Sequence, residues 1–82
     1  MAASFIEFEG PEPTASGKTS IWNVRTEGGG MLLGQVKWFG RWRCYAFYPG
    51  SGTIFERTCL RDIASFCETE TQRHREEKAA TK

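Results

Sequence analysis

No apolar run in the 82-residue chain approaches the roughly 20 residues that a membrane-spanning helix needs, so no membrane partner is expected. The opening "MAASFIEFEG" lacks the basic and apolar regions of a secretory signal, which makes the cytoplasm the expected location. The three cysteines, at 44, 59 and 67, are an odd number, which argues against a closed disulfide framework and for reduced, mostly buried thiols. With one histidine, His74, and no Ser or Cys beside a plausible base, no catalytic residue is assigned and the chain is read as non-enzymatic. Metal binding is set aside too. On one helix, Cys59, Cys67 and His74 would stand over roughly 10 Å apart at each step, whereas zinc bonds are near 2.0–2.3 Å. "GGG" at 28–30 joins two strand-like runs and opens no helix, so it is no phosphate loop, and no cofactor is expected.

What the chain does have is one domain's worth of residues, aromatics and an uneven charge. A chain this short buries only about 60% of its extended-chain surface, so a partner or self-association is a natural source of further stability. The net charge of +1 conceals a division. Residues 18–66 hold seven cations against Glu27, Glu56 and Asp62, which is +4, while the first 17 residues hold three glutamates and no cation.

The segment "EGPEPTASGKTS" contains no aliphatic residue to offset the entropy of ordering it, so residues 1–17 are read as a flexible segment with at most a short strand at 4–9. Period-two alternation then marks "SIWNVRT" and "MLLGQVKWF" as strands joined by "EGGG". A two-residue turn at Gly40 and Arg41 returns "WRCYAFY" as a third strand, pairing Phe39 with Trp42, Trp38 with Arg43 and Val36 with Tyr45. After "PGSG", Thr58 is the expected N-cap of a helix whose apolar stripe is Leu60, Ile63, Ala64, Phe66 and Cys67. Residues 71–82 are read as a fraying polar helix end or disordered tail. The expected fold is therefore α+β: a three-stranded antiparallel β-meander packed by one C-terminal α-helix, over residues 18–70.

The helix should cover the face carrying Val36, Trp38, Tyr45 and Phe47, with Trp22 and Val24 nearby, because the other face has Gln35 and Lys37 in mid-strand. Arg43 opposite Trp38 would then form a cation–π pair. On the second face, Phe39 and Trp42 exceed what one helix can also cover, and Lys37, Arg41 and Arg25 lie around them. Cations neutralise phosphate and rings stack on bases, so Lys37, Phe39, Arg41, Trp42 and Arg43 are the candidate site for single-stranded nucleic acid. The same residue types suit a protein interface, which keeps a host protein open as the partner. An N-terminal arm folded over this face is the third reading. Arg57 and Arg61, one turn apart, are candidate anion contacts or a solvated face.

Two resemblances attach to these residues. In "GQVKWFGRWRCYAFY", the residues Lys37, Trp38, Phe39, Arg43, Tyr45 and Phe47 fall in register with a stretch that resembles the cold-shock domain, an OB-fold nucleic-acid binder. That resemblance implies base stacking by Trp38, Tyr45 and Phe47. From Thr19 to Phe66, "LGQVKWFGRWRCYAFYPGSGTIF" and "CLRDIASF" are similar to small proteins of phages, prophages and mobile elements. Their pattern reads L-G-x-V-K-W-[FY]-G-x-W-R-x-Y-x-F-x-P, then T-[IV]-F and C-L-x-D-I. This second resemblance implies a strand-strand-strand-helix module with no assigned activity.

Overall fold

A computed structural model describes residues 6–80 of the chain, with side chains described through Glu77. Four strands, β1 (Ile6–Pro13), β2 (Ser20–Thr26), β3 (Leu32–Phe39) and β4 (Cys44–Pro49), are followed by one helix, α1 (Arg57–Ala80). The strands form one antiparallel sheet in the order β1-β2-β3-β4, with α1 packed on one face. The α+β class and the C-terminal helix match the sequence reading, but the sheet has four strands where three were expected.

The extra strand is part of the segment read as flexible; residues 4 and 5 of its expected range lie outside the described residues. Ile6 is buried and the Phe8 ring stacks on Phe66 with centroids 4.0 Å apart and planes within 1°. Those two alternate positions tie β1 to the core, and the Pro-rich remainder follows in register with β2, after a shift between Glu9 and Glu12. Pro11 and Pro13 are tolerated because β1 is an edge strand and its outer side needs no donors. Beyond it, the Thr14 N–H donates to the Thr19 carbonyl at 3.1 Å, closing the turn into β2.

On β2, Trp22 and Val24 point into the core, and on β3 and β4 so do Val36 and Tyr45. Val24 and Val36 are fully buried, each contributing about 1.5–3 kcal/mol by transfer from water. The irregularity between Val24 and Arg25 gives β3 an extra residue there, and Leu33, expected on the polar face, joins the core instead. Gly34 cannot be replaced freely. A Cβ there would stand 2.8 Å from the Phe47 ring, which lies over it.

The β3–β4 register corrects the expected turn. Phe39 pairs with Cys44, Trp38 with Tyr45, and Val36 with Phe47, a displacement of two residues. The connection is thus four residues, 40–43, held by Trp42 N–H to the Phe39 carbonyl and Arg43 N–H to the Gly40 carbonyl. Arg43, not glycine, takes the left-handed conformation, at φ 53°. Because the displacement is even, the side chains of β4 keep the faces the sequence assigned them, while Trp42 and Arg43 pass from the strand into the loop.

The helix begins at Arg57, and its cap is Glu56 in place of Thr58: the Glu56 carboxylate accepts the Cys59 N–H at 2.8 Å. Its inward side is Cys59, Ile63, Phe66 and Cys67, then Glu70, Thr71 and His74. Leu60 and Ala64, expected in the stripe, face solvent. The region read as a fraying end is helical through Ala80, and it closes the free edge of β4. The Thr71 Oγ1 accepts the outward N–H of Tyr45 at 2.9 Å, and Arg75 donates to the Arg43 carbonyl at 3.5 Å.

Two outcomes follow. Thr71→Val removes the acceptor of a buried amide at nearly constant shape, so chemical denaturation should show a loss of about 1–3 kcal/mol, and the Tyr45 amide should exchange faster; unchanged stability would mean the edge is not held this way. Backbone N–H groups of Cys59 and Thr58 hold the Glu56 carboxyl below its ordinary value of 4.5. A lowered folded-state pKa gives stability that is present above the unfolded value and lost as pH falls through the folded one. The denaturation midpoint should therefore fall on acidification below about pH 4.5, and less steeply in Glu56→Gln.

Candidate functional site

The uncovered face divides into two zones. Across β1, β2 and β3 runs a polar ladder: Gln35 donates to Asn23 at 3.0 Å, Asn23 donates to Glu9 at 3.3 Å, and Arg25 donates to the same Glu9 carboxylate at 3.0 Å. The Arg25 guanidinium and the Asn23 amide hold the Glu9 carboxyl below its usual range. This zone is self-satisfied. It also withdraws Arg25, which the sequence placed near the cationic set, into an ion pair.

The second zone lies on β3, β4 and the loop between them. Phe39, the last residue of β3, is half-buried, and the Trp42 indole meets it edge to face, with centroids 4.7 Å apart and planes at 72°. Such a pair is worth about 0.5–1.5 kcal/mol beyond its burial, enough to hold the indole in one place while it remains 69% exposed. Lys37, two residues before Phe39 on the same face, sets its Nζ 4.4 Å above the Tyr48 ring. Arg41 and Arg43 are exposed in the loop. Among the described residues the ion pairs are Arg25 with Glu9 and Arg73 with Glu70, so Lys37, Arg41 and Arg43 keep their charge available. The five residues singled out from the sequence therefore fall on the last three residues of β3 and the loop after it, while Tyr48, opposite Gln35, stands farther along β4.

Other expectations are placed elsewhere. Arg43 does not pair with Trp38: the two-residue displacement moves it into the loop, and Trp38 packs against Tyr45 at 5.3 Å and His74 at 4.5 Å. Trp38, Tyr45 and Phe47, the rings to which the cold-shock resemblance assigns stacking, all belong to the helix-covered face, with Tyr45 buried. Ile6–Pro13 lie beside β2 as a strand, so β1 leaves Phe39 and Trp42 uncovered. Arg57 and Arg61 are exposed on the first turns of α1, where Glu56 already occupies the end of the helix, and they do not join the aromatic zone.

Sequence reasoning missed Glu70, Thr71 and His74. Their signal was available: counted from Cys59, the spacing of four, three, one, three, one and three continues unbroken through them. It was hidden because the residues are polar. Among the described residues no group of three metal-binding side chains converges.

No protein-family model and no solved structure matches the chain. It is similar to an uncharacterised 9.3 kDa protein of Acholeplasma phage L2, at 35% identity over 49 residues. Those residues make up 60% of this chain and 63% of the phage protein, so the chain spans less than two thirds of that relative.

The thiols are free, and burial, followed by the neighbouring Cys44 and Glu68, pushes Cys67 up to about 11. Alkylation at about pH 8 should therefore be slower at Cys67 than at a free thiol of ordinary pKa, with its rate rising about tenfold per pH unit until near pH 11. Labelling at the speed of an unhindered thiol would contradict the burial of that helix face.

Proposed function

We infer that the Phe39–Arg43 end of the sheet binds single-stranded nucleic acid. The observation that carries this reading is the 69% exposed Trp42 indole, steadied by Phe39 and flanked by Lys37, Arg41 and Arg43, none of which is neutralised by a described carboxylate. An exposed indole offers a flat face to an unpaired base, worth about 1–3 kcal/mol, and the bases of an intact duplex present no such face. Three cations close in sequence to that ring offer phosphate contacts beside it. The similarity to a phage protein is compatible with nucleic-acid handling.

A host protein as partner is the second reading, favoured by the same indole. Exposed Trp beside Arg is the composition of interaction hot spots, and phage proteins commonly act on host factors.

The test is a fluorescence titration of the intact protein with short single-stranded DNA and RNA at stepped salt. Three phosphate contacts give a slope of about −2 in log K against log salt, and Trp42→Ala should weaken binding roughly tenfold while leaving thermal stability nearly unchanged. Absent or salt-independent binding contradicts the nucleic-acid reading. In that event, capture of a host protein that survives nuclease and is lost in Trp42→Ala would support the second.

A further inference from the structure

On the helix side of the same end of the molecule lies a recess of about 290 Å³, between the β1–β2 turn and the last turns of α1. Lys18 lines it from the turn, Ser20, Trp22 and Tyr45 from the sheet, and Glu70, Arg73 and His74 from the helix. The volume is close to the lower bound of about 300 Å³ for small-ligand clefts, a size for one flat ring system.

Glu70 is the unusual feature. Its side chain is 10% exposed, yet it accepts no hydrogen bond from any described residue. Its charge partner is Arg73, 3.3 Å away and 61% exposed. Among the described residues no fully buried side-chain oxygen lacks a hydrogen bond, so the Glu70 oxygens keep a path to solvent, and the recess they line is that path. Elsewhere on the inward side of α1 the corresponding positions are Cys59, Ile63 and Phe66, which cost nothing to bury. Arg73 offsets part of the cost of a carboxylate this deep beside Trp22, and further donors entering the recess would offset the rest.

Two carboxylate oxygens accept two adjacent N–H donors. The Tyr45 hydroxyl accepts the Ser20 N–H at 3.1 Å and so retains its own hydrogen to donate, and Lys18 is a second donor at the rim. A pair of acceptors next to a donor complements the Watson–Crick edge of guanine, which presents N1–H and N2–H₂ beside the O6 acceptor. Adenine and cytosine each set a ring-nitrogen acceptor against the carboxylate, and thymine and uracil flank one N–H with two carbonyls. The β1–β2 turn that borders the recess and the β3–β4 loop that carries Trp42 fall at the same end of the sheet.

We propose that this recess reads a guanine of the strand stacked on Trp42, with Glu70 as the acceptor of its N1–H and N2–H₂ and the Tyr45 hydroxyl or Lys18 as donor to its O6. The proposal rests on the nucleic-acid reading above and adds a base preference to it. The full-length protein is titrated with oligothymidylate carrying one central guanine, adenine, cytosine or inosine. The guanine strand should bind about tenfold tighter than the others, inosine losing part of that gain because it lacks N2–H₂. Glu70→Gln should reduce the preference to within about twofold while leaving affinity for plain oligothymidylate unchanged, whereas Trp42→Ala should weaken every strand. Equal binding of all strands, or a guanine preference that survives Glu70→Gln, overturns the proposal and leaves the nucleic-acid reading standing. Failure of every strand to bind overturns both. The inosine comparison uses the unaltered protein, so it decides the question even if Glu70→Gln does not fold.

Discussion

One helix covers one face of a sheet, and the rest of this molecule follows from which face α1 covers. The choice is made by a ring stack: Phe66 lies flat on Phe8 of β1 at 4.0 Å and meets Trp22 of β2 edge-on at 5.1 Å, while Trp22 in turn abuts Tyr45 of β4. That chain of aromatics reaches from one edge strand to the other beneath a single helix. With the apolar rings spent there, the opposite face is stabilised by hydrogen bonds among Glu9, Asn23, Arg25 and Gln35, and its aromatic end stays open. Both sheet edges are managed as well. Prolines stand on β1, and on the other side Thr71 accepts the outward Tyr45 N–H of β4 while Arg75 donates to the Arg43 carbonyl in the loop before it.

The strand pattern was legible because β2, β3 and β4 alternate cleanly, and period two survives an error of two residues in the turn. Gly40 drew the expected turn to itself, since glycine is the ordinary occupant of a strained turn position, but the left-handed residue is Arg43, which sequence gives no reason to choose. The first strand was legible only in part, as a possible short strand at 4–9, for a different reason. Most of its composition is that of a linker, and the tertiary contacts of Ile6 and Phe8 offset the cost of ordering it. The same logic explains the helix. Its inward stripe passes from sulfur and hydrocarbon to Glu70, Thr71 and His74 without a break in spacing, and a reading that follows hydrophobicity stops where the chemistry changes although the geometry does not.

The candidate site was the more legible part. Lys37, Phe39, Arg41, Trp42 and Arg43 lie together because they are close in sequence and sit at one hairpin end. What sequence could not supply was the second side of that end, where residues more than twenty-five positions away in α1 approach the same loop. The resulting end of the molecule combines an exposed ring steadied by Phe39, three cations outside the described ion pairs and a recess lined by Glu70.

The coverage of one face only is tested most directly by fluorine NMR of the intact protein with all three tryptophans replaced by 5-fluorotryptophan, comparing spectra in H₂O and D₂O. The account requires three resonances of unequal response: a large solvent shift for Trp42, an intermediate one for Trp38 and almost none for Trp22. A Trp42 resonance as insensitive to solvent as that of Trp22 would mean that the second face is covered after all.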